Sequence, residues 1–505
     1  MKKMMIFLLG MVLLVTPSFA KESSDISVYL NGQVLVFDTQ PVIIEGRTMV
    51  PVRAIFEAFN MEVAWHSSER KVTATKEGLV IELWIGSTVT QVNGQEVVID
   101  SQAYIDNGRT MVPLRFIAES TGAHVTWDGQ TRTVIITSGY NIVDTGLDQL
   151  FTDQEIVESI PQGQAFYGQD GHYEGYQPSY LDHGDGTVTD LVTGLMWQQT
   201  MDEKMTYDQA VAYANDSNLG GYNDWRLPTI KELFSLIQFT GQSGGEVANI
   251  LYIDTDYFDQ PLGDTSQGER EIDAQTWSVT KYVGTTMHGD PTVFGVNFID
   301  GRIKGYGLIK PKTQTENLGY FRLVRGHEDY GQNIFIDNGD GTVSDLATGL
   351  MWQKADDGQT RDWESSLAYA EDLSLGGYDD WRLPNIKELQ SLVDYTKSPS
   401  TSQSPAINDL FVLSPIIDPN GESNFGFYWS STSHQDGRNI ASSASYVAFG
   451  EAQGEMFGSL LDVHGAGAVR SDPKSGSELY YPDYFGPQGD IRYVYNFVLA
   501  VRTIE

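Results

Sequence analysis

The 505-residue chain has 32 basic and 68 acidic side chains, a formal net charge of −36, and no cysteine. At about 150 residues per domain the length predicts about three domains, and a hydrophobic content of 40% is too high for a disordered chain. The charge argues against nucleic acid or an anionic membrane as a partner, and the lack of cysteine excludes disulfides, thiol catalysis and cysteine metal sites.

The first twenty residues have the pattern of a secretory signal peptide. Lys2 and Lys3 precede a short apolar run over residues 6–15, and Ser18-Phe19-Ala20 supplies the small residues of a cleavage site. We predict cleavage after Ala20 and a secreted or cell-surface-associated protein. No later apolar run reaches about 18 residues, so no integral membrane segment is expected after cleavage. An uncleaved N-terminal anchor is the alternative.

A first internal repeat lies in residues 26–138. Gly46-Arg-Thr-Met-Val-Pro-Val-Arg53 returns as Gly108-Arg-Thr-Met-Val-Pro-Leu-Arg115. Each unit predicts strands around an Asn-Gly turn, a short helix after the proline and then a hairpin, which makes a β-rich α+β module.

This module resembles the copper amine oxidase N-terminal-like (stalk) domain family. The resemblance implies a spacer or docking role. Copper amine oxidase chemistry needs Asn-Tyr-Asp/Glu and copper-binding histidines, and neither Asn-Tyr-Asp/Glu nor His-x-His occurs in the chain. We therefore expect no copper, and we predict that Arg53 and Arg115 brace loops by hydrogen bonds.

A second, longer repeat fills the rest of the chain. Residues 182–198 recur at 337–353, and residues 220–233 recur at 376–389. We predict two copies of one α+β domain, at 179–326 and 334–505, preceded by a linker over 139–178. The Asp-Gly pairs predict hairpin turns, and the segments that follow have helix N-cap patterns at Thr206, Asp362, Thr229 and Asn385.

These copies resemble the Lcl C-terminal domain family, named for a bacterial collagen-like adhesin. The resemblance is carried by Asp-Gly-Thr-Val-x-Asp-x-x-Thr-Gly-Leu-Met-Trp and Gly-Gly-Tyr-x-Asp-Trp-Arg-Leu-Pro-x-x-Lys-Glu-Leu. The Arg-Leu-Pro element is also similar to one in formylglycine-generating enzymes. Both resemblances imply a C-type-lectin-like or formylglycine-generating-enzyme-like fold, but not that enzyme's reaction, which works through cysteines.

No motif in the chain predicts catalysis, a cofactor or a metal. Glycines replace acids at two ligand positions when the aspartate-rich turns are compared with a calcium loop, so turns are favoured over a metal site. Trp225-Arg226 and Trp381-Arg382 could stack on sugars, but their position between Gly-Gly and a helix-starting proline favours a buried tryptophan with a bracing arginine. The eight histidines show no metal spacing.

The second copy contains extra residues near 459–490, which we interpret as an insertion. Long glycine-containing loops on a rigid scaffold often carry function, and a decorative surface loop is the alternative. We predict that a ligand-binding surface here includes Asp462, His464, Arg470, Asp472, Tyr480 and Tyr481.

Two functions remain open. The leading one is a non-catalytic binding or adhesion protein that presents two lectin-like domains on a stalk to a glycan, polymer or extracellular protein. The high negative charge favours a neutral glycan or a basic protein as ligand. The alternative is an exported enzyme, such as a metal-assisted hydrolase, which three carboxylates or histidines meeting in one cleft would favour.

Overall fold

The computed structural model describes residues 26–504 except 77, 202, 246–247, 288 and 311–312. The predicted signal peptide, residues 1–20, lies outside the described residues. The protein is multi-domain and rich in strands, and it divides into two compact units: one runs to Val28 and continues over Val34–Val134, and the other comprises Tyr29–Gln33 and Ile135 onward. Within the described ranges, no helix has both the length and the apolar character needed to cross a membrane.

The N-terminal module consists of short strands and two short helices. In chain order they are β1 (Ser27–Leu30), β2 (Gln33–Val34), β3 (Val42–Ile44), β4 (Arg47–Pro51), α1 (Val52–Ala58), β5 (Glu62–His66), β6 (Lys71–Lys76), β7 (Leu79–Trp84), β8 (Val89–Val92), β9 (Gln95–Val98), β10 (Tyr104–Asp106), β11 (Arg109–Pro113), α2 (Leu114–Ser120), β12 (His124–Asp128) and β13 (Thr133–Thr137).

The two repeats of this module meet at equivalent residues. Strands β4 and β11 pair antiparallel, and Val50 lies opposite Val112, which has the same position in the next repeat. Both valines are fully buried. The repeats are therefore related by an approximate two-fold axis that passes between these valines.

Two ion pairs repeat this symmetry. Arg47 Nε donates to Asp100 Oδ2 at 2.7 Å, and Arg109 Nε donates to Asp38 Oδ2 at 2.6 Å. Because Asp38 and Asp100 are equivalent residues, each repeat contacts the other through the same arginine and the same aspartate.

The short helices begin after Pro51 and Pro113, whose φ of −62° is already compatible with a helix. The prediction that Arg53 and Arg115 brace loops is wrong. Both side chains are exposed, and each faces a glutamate one turn along its own helix, at 3.2 Å for Arg53 and 4.0 Å for Arg115. The loops are braced by the preceding Arg47 and Arg109 instead.

The two copies of the longer repeat, with the segment that precedes them, form most of the second unit. The preceding segment has β14 (Leu150–Phe151) and β15 (Ile156–Val157). The first copy has β16 (Tyr180–Asp182), β17 (Thr187–Asp190), β18 (Met196–Gln198), α3 (Tyr207–Asp216), α4 (Ile230–Ser235), β19 (Thr276–Lys281), β20 (Thr292–Asn297), β21 (Arg302–Gly307), β22 (Tyr320–Phe321) and β23 (Val324–Arg325).

The second copy repeats this order with additional strands. Its elements are β24 (Phe335–Asp337), β25 (Thr342–Asp345), β26 (Leu350–Gln353), α5 (Trp363–Glu371), α6 (Ile386–Ser391), α7 (Pro399–Ser402), β27 (Pro415–Ile417), β28 (Ser423–Phe425), β29 (Phe427–Ser433), β30 (Ser443–Ala448), β31 (Gln453–Met456), β32 (Ser459–Asp462), β33 (Val469–Pro473), β34 (Asp483–Phe485), β35 (Asp490–Arg492) and β36 (Val501–Thr503).

The predicted helix caps are confirmed. Thr206, Thr229 and Asn385 each accept a hydrogen bond from the backbone of the third helical residue, whose own side chain accepts from the cap's N–H, so each is a full capping box. Asp362 caps α5 by accepting from Ser365 N. Capping fixes where each helix begins, and at Thr229 and Asn385 the cap directly follows the Arg-Leu-Pro segment.

The main sheets of the two copies join into one seven-stranded sheet. Its strand order is β22-β19-β20-β21-β33-β30-β29, and β21 of the first copy pairs antiparallel with β33 of the second, with Ile303 opposite Val469. We call this pairing the seam. At the seam Gly305 N donates to His464 O at 2.8 Å, and a Cβ on residue 305 would lie only 2.8 Å from that oxygen, so the close approach requires glycine.

The prediction that residues 459–490 form one inserted loop is wrong, because part of this range belongs to the seam. Strand β33 lies inside that range, yet it is an interior strand of the shared sheet and Val469 is fully buried. Four of the strands that the first copy lacks form a separate sheet in the order β32-β31-β35-β34, and two more, β27 and β28, pair with each other. Around β33, the additional structure is therefore two hairpins on either side of this strand rather than one continuous loop.

One hydrophobic core serves both copies. It contains residues of the first copy, such as Trp197, and of the second, such as Trp352, together with Tyr140 and Phe151 from the predicted linker over 139–178. The linker segment thus packs within the same unit as the two domains it precedes.

Candidate functional site

A cleft of about 690 Å³ lies along the seam and is lined by both copies. Its ionisable lining residues come from strands β21, β33 and β35 and from turns that flank the sheet: Arg270, Asp300, Arg302, Lys304, Asp436, Arg438, His464, Arg470, Asp472, Asp490 and Arg492. We call it the inter-copy cleft. Its volume is in the range of small-molecule sites, about 300–1,000 Å³.

The first copy contributes an aspartate held between two cations. Asp300 Oδ2 accepts from Lys304 Nζ at 2.5 Å and lies 3.4 Å from Arg302 Nη1. Burial would raise the pKa of Asp300, but Lys304 and Arg302 hold it well below its usual range. Arg302 also donates to Asp436 of the second copy and to Ser471 Oγ, the latter at 2.8 Å. The charged network therefore crosses the seam.

The second copy contributes a charged cluster of its own around Asp490, on the additional strand β35. His464 Nε2 lies 2.9 Å from Asp490 Oδ1, and Arg470 donates to Asp490 Oδ2. Burial opposes ionisation of Asp490, but Arg470 and His464 hold its pKa well below its usual range. Burial and the charge of Arg470 lower the pKa of His464 to about 4. A neutral imidazole facing an ionised carboxylate must donate from Nε2, so its Nδ1 is an acceptor.

The pKa of Asp472 is raised, in contrast to the lowered pKa values of Asp300 and Asp490. Asp472 Oδ2 accepts from Tyr493 N at 2.9 Å, and burial raises the pKa of Asp472 to about 8. At neutral pH this side chain is therefore mostly protonated and can donate a hydrogen bond.

An aromatic side chain stands at the rim of the cleft. Phe485 on β34 is 58% exposed and lines the cleft, and the guanidinium of Arg492 lies 4.2 Å from its ring centroid. Trp277 and Tyr446 also line the cleft but are almost fully buried. The rim thus offers an apolar face beside a polar floor.

The structure brings together three of the six predicted ligand-binding residues. His464, Arg470 and Asp472 line the cleft. Asp462 lies behind the seam, where its Oδ2 accepts from the Tyr282 hydroxyl at 2.7 Å. Tyr480 and Tyr481 do not line the cleft, and Tyr480 is 78% exposed on the second copy's surface.

Sequence reasoning missed the residues that the first copy contributes. The strand Arg302-Ile-Lys-Gly-Tyr-Gly307 follows an Asp300-Gly301 turn, and its alternation of charged and apolar side chains is a signal for a strand with one charged face. Asp436, on a turn before Gly437, and Asp490 had no such signal.

The aspartate-rich turns have the structure that their sequence predicts. Asp182 Oδ1 accepts from Gly184 N at 2.8 Å, and Asp337 Oδ1 accepts from Gly339 N at 3.0 Å. Asp337 also pairs with Lys354 Nζ at 2.6 Å. These carboxylates are thus engaged by their own turns and neighbours.

The Trp-Arg elements have the predicted structural role. Trp225 and Trp381 are buried, and Trp381 Nε1 donates to Leu375 O at 3.2 Å. Arg382 binds Glu388 through two hydrogen bonds of 2.7 and 2.6 Å. Because Glu388 is also the capping-box residue of α6, the arginine holds strand and helix together.

Comparison with family models assigns both parts of the chain. The copper amine oxidase N-terminal domain model matches residues 29–136. The Lcl C-terminal domain model matches residues 186–325 and 341–466, which together exceed half of the chain. No curated protein matches the chain. The chain therefore belongs to the Lcl C-terminal domain family, although the cleft residues from Arg470 onward lie beyond the matched range.

Proposed function

We propose that this protein is a secreted or surface-associated, non-catalytic binding protein. It presents two C-type-lectin-like domains on a stalk and holds a glycan, polymer or extracellular protein, as the resemblance to an adhesin domain implies. The observation that carries the proposal is the inter-copy cleft, where two family domains contribute polar side chains to one concave surface with an aromatic rim. Concave sites with convergent polar groups are the usual place for a ligand.

The alternative of a metal-assisted hydrolase must be weighed against the same cleft, since it contains four aspartates and a histidine. Cations already hold three of these acids: Arg302 and Lys304 at Asp300, Arg302 at Asp436, and Arg470 at Asp490. Within the described part of the chain, no three of the cleft's carboxylate and imidazole groups come close enough to share one ion. This arrangement supports binding over metal chemistry.

The experiment is a glycan and extracellular-matrix array probed with the exported protein. We expect saturable capture by at least one ligand class without turnover of the ligand. Absence of capture from every class would refute the proposal. Intact-mass measurement of the same preparation tests the predicted export, since cleavage after Ala20 leaves Lys21 as the first residue.

A second candidate function has one specific observation in its favour. Burial raises the pKa of Asp472 to about 8, whereas Arg470 and His464 hold the pKa of Asp490 well below its usual range, and both side chains line the cleft. An acid and a carboxylate in one site are what metal-independent glycoside hydrolysis needs. Release of new reducing ends from a captured glycan, lost in both Asp472→Asn and Asp490→Asn, would favour this candidate over simple binding.

A further inference from the structure

We propose that the inter-copy cleft binds a neutral, polyhydroxylated sugar unit, whose hydroxyl groups exchange hydrogen bonds with side chains from both copies. This inference rests on the proposed binding function and names the ligand class of the same site.

At least five of the six cations that line the cleft pair with carboxylates, so most of their charge is compensated. Arg302, Lys304 and Arg470 contact Asp300, Asp436 and Asp490 within the cleft. Two more lining cations, Arg270 and Arg492, pair with acids outside it, Asp273 and Asp483. A strongly anionic ligand would meet the ionised acids, and a cationic ligand would meet the arginines. A neutral ligand avoids both repulsions.

Donors and acceptors are both available to such a ligand. The side chains of Asp436 and Arg492 are 26% and 25% exposed, and those of Lys304 and Asp490 are each 15% exposed. Carboxylates only accept, while ammonium and guanidinium groups only donate. A hydroxyl group does both, so a molecule with several adjacent hydroxyls can satisfy this alternating set.

The network also has unused hydrogen-bonding capacity. In the described part of the chain, Asp300 Oδ1, His464 Nδ1 and Asp472 Oδ1 are buried and have no hydrogen-bond partner. All three residues line the cleft and are at least nine-tenths buried. Buried polar atoms normally find partners, so a small reorientation of these side chains toward a bound hydroxyl group would complete the network.

Phe485 supplies the apolar contact that a sugar ring needs. Its ring is exposed at the rim and is fixed from one side by Arg492. The C–H face of a sugar can pack on this ring while its hydroxyl groups face the charged floor, in the way that amphipathic groups pack at wet interfaces.

The test compares neutral tetrasaccharides of glucose, galactose and mannose with galacturonate and sulfated tetrasaccharides, by titration calorimetry on the exported chain. We expect binding of at least one neutral compound. Asp436→Asn and Phe485→Ala should each weaken that binding about tenfold. Phe485 is exposed, so its variant is expected to fold even if the Asp436 variant does not.

Matched controls lie outside the cleft. Asp224→Asn removes another arginine-paired aspartate, and Phe457→Ala removes another exposed phenylalanine of the second copy. Both should leave binding unchanged. Binding of charged compounds alone, or neutral binding that the cleft variants do not weaken, would overturn this inference while leaving the binding function standing. Failure of every compound here and of every ligand on the array would refute both.

Discussion

Lys231 and Lys387 occupy equivalent positions in the two copies, and each donates to the last turn of the other copy's helix. Lys231 Nζ donates to Ser391 O at 2.7 Å, and Lys387 Nζ donates to Ser235 O at 2.9 Å. A helix C-terminus has unpaired carbonyls and partial negative charge, so it is a favourable place for a cation. The same lysine–carbonyl hydrogen bond is thus made twice, once in each direction, and both bonds join the two copies.

From the hydrogen bonds of Lys387 we predict that Lys387→Met will lower the free energy of unfolding by about 2 kcal/mol, because the buried carbonyls of Ser235 and Asp144 lose a charged donor. Urea denaturation of the second unit measures the change. The exposed Lys310→Met is the control and should have little effect. A more stable Lys387 variant would mean that burying the ammonium costs more than its hydrogen bonds return.

The Trp-Arg element gives a second prediction. Trp381→Ala should cost about 3–5 kcal/mol, since it empties a buried site. Arg382→Ala should cost about as much, because it leaves the Glu388 carboxylate unpaired at a low-exposure position. Chemical denaturation checks both, with exposed Phe457→Ala as the reference. Loss of ligand capture at unchanged stability would instead make this element part of the binding site.

The cleft also predicts a pH dependence of stability. The folded-state pKa of Asp472 is raised by burial to about 8, against an unfolded value near 4. Asp472 therefore keeps its proton in the folded protein between these pH values, and its contribution to stability falls as pH rises from about 4 to 8.

Asp472→Asn removes the titrating carboxyl group and preserves an acceptor for Tyr493 N. We expect the variant to gain stability relative to the parent as pH rises from 5 to 8, by an amount on the order of 1 kcal/mol or more. Melting temperatures at both pH values measure it. Asp224→Asn should show no such gain, because Arg325 holds the pKa of Asp224 below its usual range. Parallel pH profiles of parent and Asp472→Asn would contradict the assignment.

The reciprocal ion pairs of the N-terminal module should contribute little. Arg47, Asp100, Arg109 and Asp38 are more than a third exposed, and exposed ion pairs contribute little to stability. We expect the double variant Arg47→Ala with Arg109→Ala to lose little stability at low salt, and even less at about 1 M salt, where screening is strong. Calorimetry at two salt concentrations checks this; a larger, salt-independent loss would indicate a packing role.

Local structure was predictable where a few neighbouring residues determine it. Asp-Gly turns, capping boxes at Thr229 and Asn385, and the burial of Trp381 follow from short patterns, and the structure confirms them. Each depends on interactions within about six residues, which a single sequence displays directly.

The seam was not predictable in the same way. Strand β33 reads Val-Arg-Ser-Asp-Pro, which has neither strand alternation nor a clear apolar face, and so it was interpreted as part of a loop. It is a strand because β30 and β21 flank it. The cleft depends on that pairing, since Arg302 and Asp436 lie 134 positions apart in the chain. Tertiary context decides such elements.

The fusion of two symmetric halves in one polypeptide has a consequence at high dilution. Two separate domains would hold the β21–β33 pairing only above their dissociation constant, whereas tethered domains meet at an effective concentration in the millimolar range. The inter-copy cleft, which is built across the pairing of Ile303 with Val469, consequently stays assembled however few molecules are present. Because the two copies are parts of one chain, they need not be identical, and only the second copy contains the β32-β31-β35-β34 sheet.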